Sequence, residues 1–418
     1  MSIRQTFLGS NSSALKSHNM RAVLLMLLKH KHVSRVRLAQ LTGLSTTTIT
    51  NLVTDLLNQG VVTEQGVEKP EQRRVGRPRM ALRLAPGARH AVGVHIGVSK
   101  VRVAVTDLHA RCLNFLSLTR IGEKSSSQVL NETAALIKKA IAQSGVQAKH
   151  VLGVGVGASG LVNPYTGVNV FAPNLKWRDV PIRERLAGSL GLPVCVDNNV
   201  RAMALGEALF GVGQDVRALA FVYARNGVGA GFALDGQLYR GSAAGAGEIG
   251  HMTLIPEGGE PCRCGNTGCL ETLVSEPTIV RLAEELAQQN QDGILATQLE
   301  QGQGTSIERI FEAARAGDTP TRDMLDARAC YMGIAMANLV NILNPELIVL
   351  GGFFAQGQDL LLPVVKTTMR QRAFARLGEN VRLQATSFGQ QAGVVGAAAL
   401  ALSNFFYEQS DHASEVTT

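Results

Sequence analysis

The stretch HAVGVHIGVSKVRVAVTDL, residues 90–108, reads as two apolar β-strands folded together about a tight, glycine-containing turn. Three further apolar runs end in Gly-rich turns: VLGVGVGASGLV (151–162), ALAFVYARNGVGAGFAL (218–234) and ELIVLGGFF (346–354). Helical stretches over 131–144, 200–210 and 322–341 lie between them. Strands alternating with helices imply α/β architecture with parallel strand pairs. In such folds ligands gather at strand ends, where these turns fall.

Upstream of residue 90 the character changes. The 418-residue chain is long enough for two or three units, and 45% hydrophobic with 18% charged residues describes a globular protein. Of its net charge of +8, the first 88 residues carry +9 (13 Lys/Arg against 4 Asp/Glu), leaving 28 against 29 for the rest. A basic surplus confined to one end suits a module that binds a polyanion, although a solvated basic arm has the same charge. Residues 19–30 read as a helix with Leu24, Leu27 and Leu28 on one face. In SRVRLAQLTGLSTTTITNLVTDLLNQGVV (34–62), Ser34 caps a short helix ending near Leu41, and Gly43 makes the turn. Ser45 caps a second helix through Asn58, which Gly60 terminates. Leu38, Leu44, Ile49 and Leu52 fall where a helix-turn-helix buries its apolar residues, and Ala39 lets the helices approach. Ser45, Thr46, Thr47, Thr48, Thr50 and Asn51 then stand at the start of the second helix, where short hydroxyl and amide groups reach bases and phosphates of double-stranded DNA. A plain helical hairpin with a Thr-rich capped end is the alternative.

The following segment, residues 61–86, reads as two strands around a basic loop, completing a winged helix-turn-helix. Arg73, Arg74, Arg77 and Arg79 surround Gly76 and Pro78. An extended Gly-Arg-Pro core is narrow enough to enter a minor groove, preferentially an A/T-rich one. A flexible basic linker would show the same composition. Pro86-Gly87 marks the boundary between residues 1–88 and 89–418.

No apolar run approaches the roughly 20 residues of a membrane span, and no signal-peptide cleavage site follows Val23 to Leu28. Cys262, Cys264 and Cys269 crowd together, while Cys112, Cys195 and Cys330 are scattered. That usage suits a metal site and buried thiols in a reducing cytoplasm better than a disulfide framework. The crowded cysteines lie in GEIGHMTLIPEGGEPCRCGNTGCLE (247–271), where His251 precedes them with His-x10-Cys-x-Cys-x4-Cys spacing. Three thiolates and one imidazole make a closed, structural Zn²⁺ site, with Gly265 and Gly268 permitting the tight path around the ion.

With its Gly-rich turns and this loop (248–271 carrying the ligands), the chain resembles the ROK family of repressors, open reading frames and sugar kinases over residues 90–405. The winged module in front makes it similar to the repressor branch, with its glucose-linked, N-acetylglucosamine and xylose regulators. The resemblance implies two actin-like, ribonuclease-H-like lobes, a sugar-kinase fold with a cleft between them, and the four zinc ligands. It also implies sugar contacts at Asn174, Asp197, Asn198, Glu248, His251 and Glu271, with Asp197 at the position of the kinases' general base. These residues could equally be caps and turn formers kept for folding. ROK kinases open with an Asp-x-Gly-Gly-Thr-like turn, but here His95-Ile96-Gly97-Val98-Ser99 lacks the carboxylate and adds bulk. The second phosphate turn also departs, since Arg225-Asn226-Gly227 stands in place of Gly-Thr-Gly. Loss of catalysis with retained sugar recognition is therefore expected, Asp197 being a vestigial base.

The expectation is a cytoplasmic, nucleoid-associated homodimer or homotetramer that represses carbohydrate uptake or catabolism genes under control of a sugar or sugar phosphate. An ATP-dependent sugar kinase with an added DNA-binding domain is the competing reading. Control by a sugar-transport protein partner has no signal of its own in the sequence.

Overall fold

The computed structural model describes residues 12–67, 80–119, 122 and 124–407. Helices α1 (Ser12–Lys29), α2 (Arg35–Thr42) and α3 (Thr46–Asn58) precede an antiparallel pair, β1 (Val62–Val67) and β2 (Met80–Leu84). Ser34 Oγ accepts from the Arg37 amide at 3.3 Å and Ser45 Oγ from the Thr48 amide at 3.1 Å, satisfying first-turn N–H groups as N-caps do. Gly43, at φ 71°, ends α2 in the left-handed conformation that glycine tolerates best. Leu24, Leu27, Leu38 and Ile49 are wholly buried, whereas Leu44 is only partly so. Helix α1 starts at Ser12 rather than at residue 19. Apolar periodicity begins only at Met20; the preceding polar turn is tied to α3 by a 3.0 Å Lys16–Asp55 ion pair. Val33 bridges Leu82, so the hairpin is fastened to the α1–α2 connection. The arginines expected in the wing (Arg73, Arg74, Arg77, Arg79) lie outside the described residues.

The remainder forms two lobes. In the first come β3 (His90–Ile96), β4 (Lys100–Thr106), β5 (Cys112–Thr119), α4 (Ser126–Ser144) and β6 (Val151–Ala158). A small sheet of β7 (Leu161–Asn163), β8 (Val168–Ala172) and β9 (Trp177–Pro181) follows, then α5 (Ile182–Leu190) and β10 (Val194–Asn198). Helix α6 (Asn199–Phe210) leads to the second lobe: β11 (Ala218–Ala224), β12 (Val228–Leu234), β13 (Gln237–Tyr239), α7 (Leu270–Val274), α8 (Glu276–Gln289), α9 (Ile294–Gln301), α10 (Ser306–Arg315) and α11 (Thr319–Leu343). It closes with β14 (Leu347–Gly352), α12 (Phe353–Gln356), α13 (Gln358–Arg372), α14 (Leu377–Asn380) and β15 (Arg382–Ala385), before α15 (Ala392–Leu402) returns to the first lobe.

The sheets repeat one plan. Strand order is β5-β4-β3-β6-β10 in one and β13-β12-β11-β14-β15 in the other, each an antiparallel meander extended by two parallel strands. Helices α15 and α6 pack on each other between the sheets, α15 against β3 and β6, α6 against β11 and β12. The α15 sequence AGVVGAAALAL is buried along its whole length. Strand glycines make room for it: a Cβ on Gly155 would lie 1.8 Å from the Ala397 carbonyl oxygen. Among the described residues no helix is long and apolar enough to cross a membrane.

The boundary expected at residue 88 falls in a single 3₁₀ turn, Pro86–Ala88, with β3 starting at His90. One apolar cluster spans it, joining Leu24 and Leu27 of α1 to Leu205 of α6, Ala399 of α15, Phe406 and Tyr407. The Tyr407 hydroxyl donates to the Leu108 carbonyl at 2.9 Å, and the Leu108 amide donates to the Pro86 carbonyl at 3.2 Å. Lys29 adds a 3.2 Å ion pair to Asp215. The helical module thus sits against the lobes through packed side chains. Phe406→Ala should cost about 3–5 kcal/mol, as large-to-small changes in cores do; an unaltered calorimetric unfolding profile would contradict this packing.

Candidate functional site

Between the lobes lies a cavity of about 500 Å³. The ends of β3, β6 and β10 and the turn carrying Asn174 supply its wall in the first lobe; the β11–β12 turn, Glu248, His251 and Glu271 supply the other. Of the six residues expected to meet a sugar, Asn174, Asn198, Glu248, His251 and Glu271 are on this wall.

Their free hydrogen-bonding capacity differs. Asn198 is the N-cap of α6: its Oδ1 accepts from the Val200 and Arg201 amides, and its Nδ2 donates to the Gly160 carbonyl at 2.9 Å. One amide N–H is left for a ligand. Glu271 Oε2 accepts from the Val228 amide at 2.9 Å. Asn174 Oδ1 accepts from Arg263 at 2.6 Å, tying the first-lobe wall to the cysteine loop. Glu248 opens onto the cavity yet is hemmed in by protein, and this desolvation raises its pKa; Glu271 adds to the rise, while His251 and Arg201 oppose it.

Asp197 is placed differently. Its carboxylate is 1% exposed and lies behind the wall, where Oδ1 accepts from Arg201 Nε at 2.7 Å and Oδ2 from Arg240 Nε at 2.8 Å. The Asn198 amide also donates to Oδ1 at 2.7 Å, so three of about four acceptor positions are filled. Arg201, itself 1% exposed, donates in addition to the Ala244 carbonyl at 2.6 Å and the Val162 carbonyl at 3.2 Å. A carboxylate so held has about one acceptor position left and none open to the cavity wall. Arg201, Arg240 and Arg263 escaped the sequence reading. Only Arg201 carried a visible signal, one of two charges, with Glu207, in the otherwise apolar helical run VRAMALGEALF.

Beside the cavity, the donor atoms of His251, Cys262, Cys264 and Cys269 all lie within 4.8 Å of one another. Cys262 Sγ is 3.7 Å from His251 Nδ1 and Cys264 Sγ is 3.8 Å from Cys269 Sγ. Metal–sulfur bonds of about 2.3 Å at tetrahedral angles imply sulfur–sulfur edges of about 3.8 Å, so the four residues fit one tetrahedrally bound ion. Gly268, at φ 66°, could carry no side chain, because its Cβ would lie 1.8 Å from the Ile255 carbonyl oxygen. All six cysteines are free of disulfides. Since His251 belongs to both the metal set and the cavity wall, the loop fixes one face of the cleft.

Residues 91–404 match the family described as the ROK family. The xylose repressor of Caldicellulosiruptor bescii is 31% identical over 396 residues, covering 94% of this chain and 98% of that one. A glucokinase of Halalkalibacterium halodurans is 33% identical over 305 residues, 73% of this chain and 92% of its own. Among solved structures, a ROK family transcriptional regulator described as a homologue of the Escherichia coli MLC protein superposes with a TM-score of 0.79 at 28% identity, covering 94% of this chain and 97% of that one.

Elemental analysis of the purified chain should find about one tetrahedrally bound metal ion per chain. Cys269→Ser should abolish it and lower the thermal midpoint, and full metal content in that variant would refute the ligand set. Asp197→Ala should cost about 3–5 kcal/mol by leaving Arg201 buried without its counter-charge. A variant as stable as the parent would show that the pair has no structural role.

Proposed function

The chain belongs to the ROK family, and from that premise we propose that it is a DNA-binding transcriptional repressor of carbohydrate genes, controlled by a sugar or sugar phosphate in the interlobe cleft. The observation that carries this reading is the helical module packed in front of a hydroxyl-compatible cleft. Similarity to the xylose repressor runs through 94% of the chain, whereas the glucokinase accounts for 73%.

Residues 1–88 are the DNA-binding unit in this reading, a winged helix-turn-helix with α3 as recognition helix. Thr46, Thr47, Thr50 and Asn51 are exposed at its start, Thr48 is half-buried, and the first turn has no acidic residue to repel phosphate. Arg73, Arg74, Arg77 and Arg79 would supply the wing's minor-groove contacts at A/T-rich sites. Residues 89–418 sense the ligand and form the homodimer or homotetramer that paired half-sites require. The tetrahedral donor set is assigned to structural Zn²⁺, held by His251, Cys262, Cys264 and Cys269; the bound ion would fix the His251 ring against the cleft.

Helix α6 gives the cleft a route to the module. It starts at the cavity with Asn199 and Val200 and buries Leu205 in the cluster that holds α1. A ligand that binds one arrangement of lobes better than another would shift the population and move this helix with it. Phosphoryl transfer is inferred to be lost. His95 and Val98 replace the first phosphate turn's acidic and small residues, and both oxygens of Asp197 are engaged by arginines.

Footprinting on genomic fragments should reveal protected sites whose affinity falls steeply with salt. Asn51→Ala should weaken operator binding by about 1–3 kcal/mol, the worth of a base contact. Absence of any protected site at moderate salt, or ADP release with hexoses or amino sugars that disappears in Asp197→Asn, would defeat the proposal.

A further inference from the structure

A second cavity, of about 340 Å³, opens behind the first, and the two share His95, Arg102, Tyr223 and Arg225. This junction concentrates positive charge. Arg102 is on β4, directly opposite His95 on β3, so the two side chains share one face of the first-lobe sheet. Arg225 enters from the second lobe, on the turn between β11 and β12. Lys100 adds an exposed ammonium to the first cavity's lining.

Arg225 has an ion-pair partner, Glu276, at 3.1 Å. Arg102 has neither a hydrogen bond nor an ion pair among the described residues, although it is half-buried. Burial lowers its pKa and the Arg225 charge lowers it further, with Tyr223 acting in the opposite sense. Guanidiniums strongly prefer a planar anionic partner, and a desolvated one without such a partner is costly.

His95 supplies an independent observation. It is 4% exposed, and its Nε2 lies 3.4 Å from the Asn199 amide nitrogen, a donor. With Nε2 accepting, the ring proton is on Nδ1, and that nitrogen is buried with no partner. Burial, Arg102 and Arg225 together depress the His95 pKa to about 3, so the ring is neutral and its N–H is an uncharged donor. The Arg102 guanidinium and the His95 N–H thus meet at the junction with no protein acceptor among the described residues, beside an Arg225 already paired to Glu276, while the carboxylates Glu248 and Glu271 line the same cavity on the side of the cysteine loop.

We propose that the cleft takes an acidic monosaccharide whose phosphate or carboxylate is held at this junction by Arg102, Arg225 and the Nδ1–H of His95. The proposal rests on the sugar-binding reading of the cleft and adds the ligand's charge to it. Arg102 and Arg225 come from opposite lobes, so their charges repel across the junction and an anion between them draws the lobes together. A neutral sugar would occupy the carboxylate side alone and leave that repulsion in place.

The test is calorimetric titration of the full-length chain, at matched ionic strength, with glucose, glucose 6-phosphate, glucuronate, xylose and inorganic phosphate. At least one acidic sugar should bind about tenfold or more tightly than its neutral parent, and the better of the phosphate and carboxylate arms identifies the acid. Arg102→Gln should remove this preference, bringing the acidic sugar to the affinity of its neutral parent, while Arg102→Lys should retain part of it. Equal affinity for neutral and acidic sugars, or a preference that survives Arg102→Gln, overturns the proposal. Should that variant fail to fold, competition decides on the parent chain: inorganic phosphate must displace the acidic sugar, and failure to do so is equally fatal. If no sugar of either kind binds while inorganic phosphate still raises the thermal midpoint of the parent but not of Arg102→Gln, the sugar reading falls and the anion subsite outlives it.

Discussion

The buried ion pair between Asp197 and Arg201 is the contact on which the cleft's construction turns. Moving either charge alone out of water would cost several kcal/mol, so neither can be removed without stranding the other. The guanidinium also bonds the carbonyls of Val162, on β7 of the small three-stranded sheet, and Ala244, in the loop that follows β13. Arg240 comes from that same loop to the second carboxylate oxygen. Two lobes, the start of α6 and the loop leading to the metal ligands are thus drawn to one buried carboxylate. The pair gives the site a defined geometry more than it gives the fold stability, because well-packed apolar groups would be as stable there.

Around that point the packing leaves little room for independent motion. Helices α6 and α15 meet through small residues: a Cβ on Gly396 would lie 2.5 Å from the Ala202 carbonyl oxygen, and one on Gly206 would lie 3.0 Å from the Gly396 Cα. Backbones this close transmit displacement as rigid bodies, since side chains cannot absorb it. Glu207, fully buried on α6, accepts from the hydroxyls of Thr386 and Ser387 and from the Ser387 amide, binding the same helix to the segment between β15 and α15. The layer between the sheets consequently behaves as one body reaching from the cleft to the cluster around Leu24, Leu27 and Tyr407.

What the sequence disclosed follows from the range of the interactions involved. Helix caps are local, so Ser34, Gly43 and Ser45 could be assigned from neighbouring residues, and the structure has each in that role. The His251–cysteine cluster was legible for the same reason, its three cysteines lying within one short loop. The start of α1 was misplaced because residues 12–18, polar except for Ala14 and Leu15, carry no apolar period, and a tertiary ion pair to α3 helps to hold them. The Arg240–Asp197 bond joins residues 43 positions apart in different lobes, and no local pattern announces it. Five of the six residues expected at the sugar site do reach the cavity, but the number of polar atoms each has left could be learned only from their backbone partners.

The same asymmetry bears on what a cleft of this plan presents to a ligand. Recognition needs hydroxyl-sized donors and acceptors on a fixed wall, which Asn174, Glu248 and His251 supply. Proton abstraction needs a carboxylate with a free lone pair on the open side, and here the carboxylate in question is turned inward to neutralise Arg201. Each guanidinium bonded to Asp197 occupies a direction from which a hydroxyl would approach. Held by Arg201 and Arg240, the charge fixes the relative position of the two lobes.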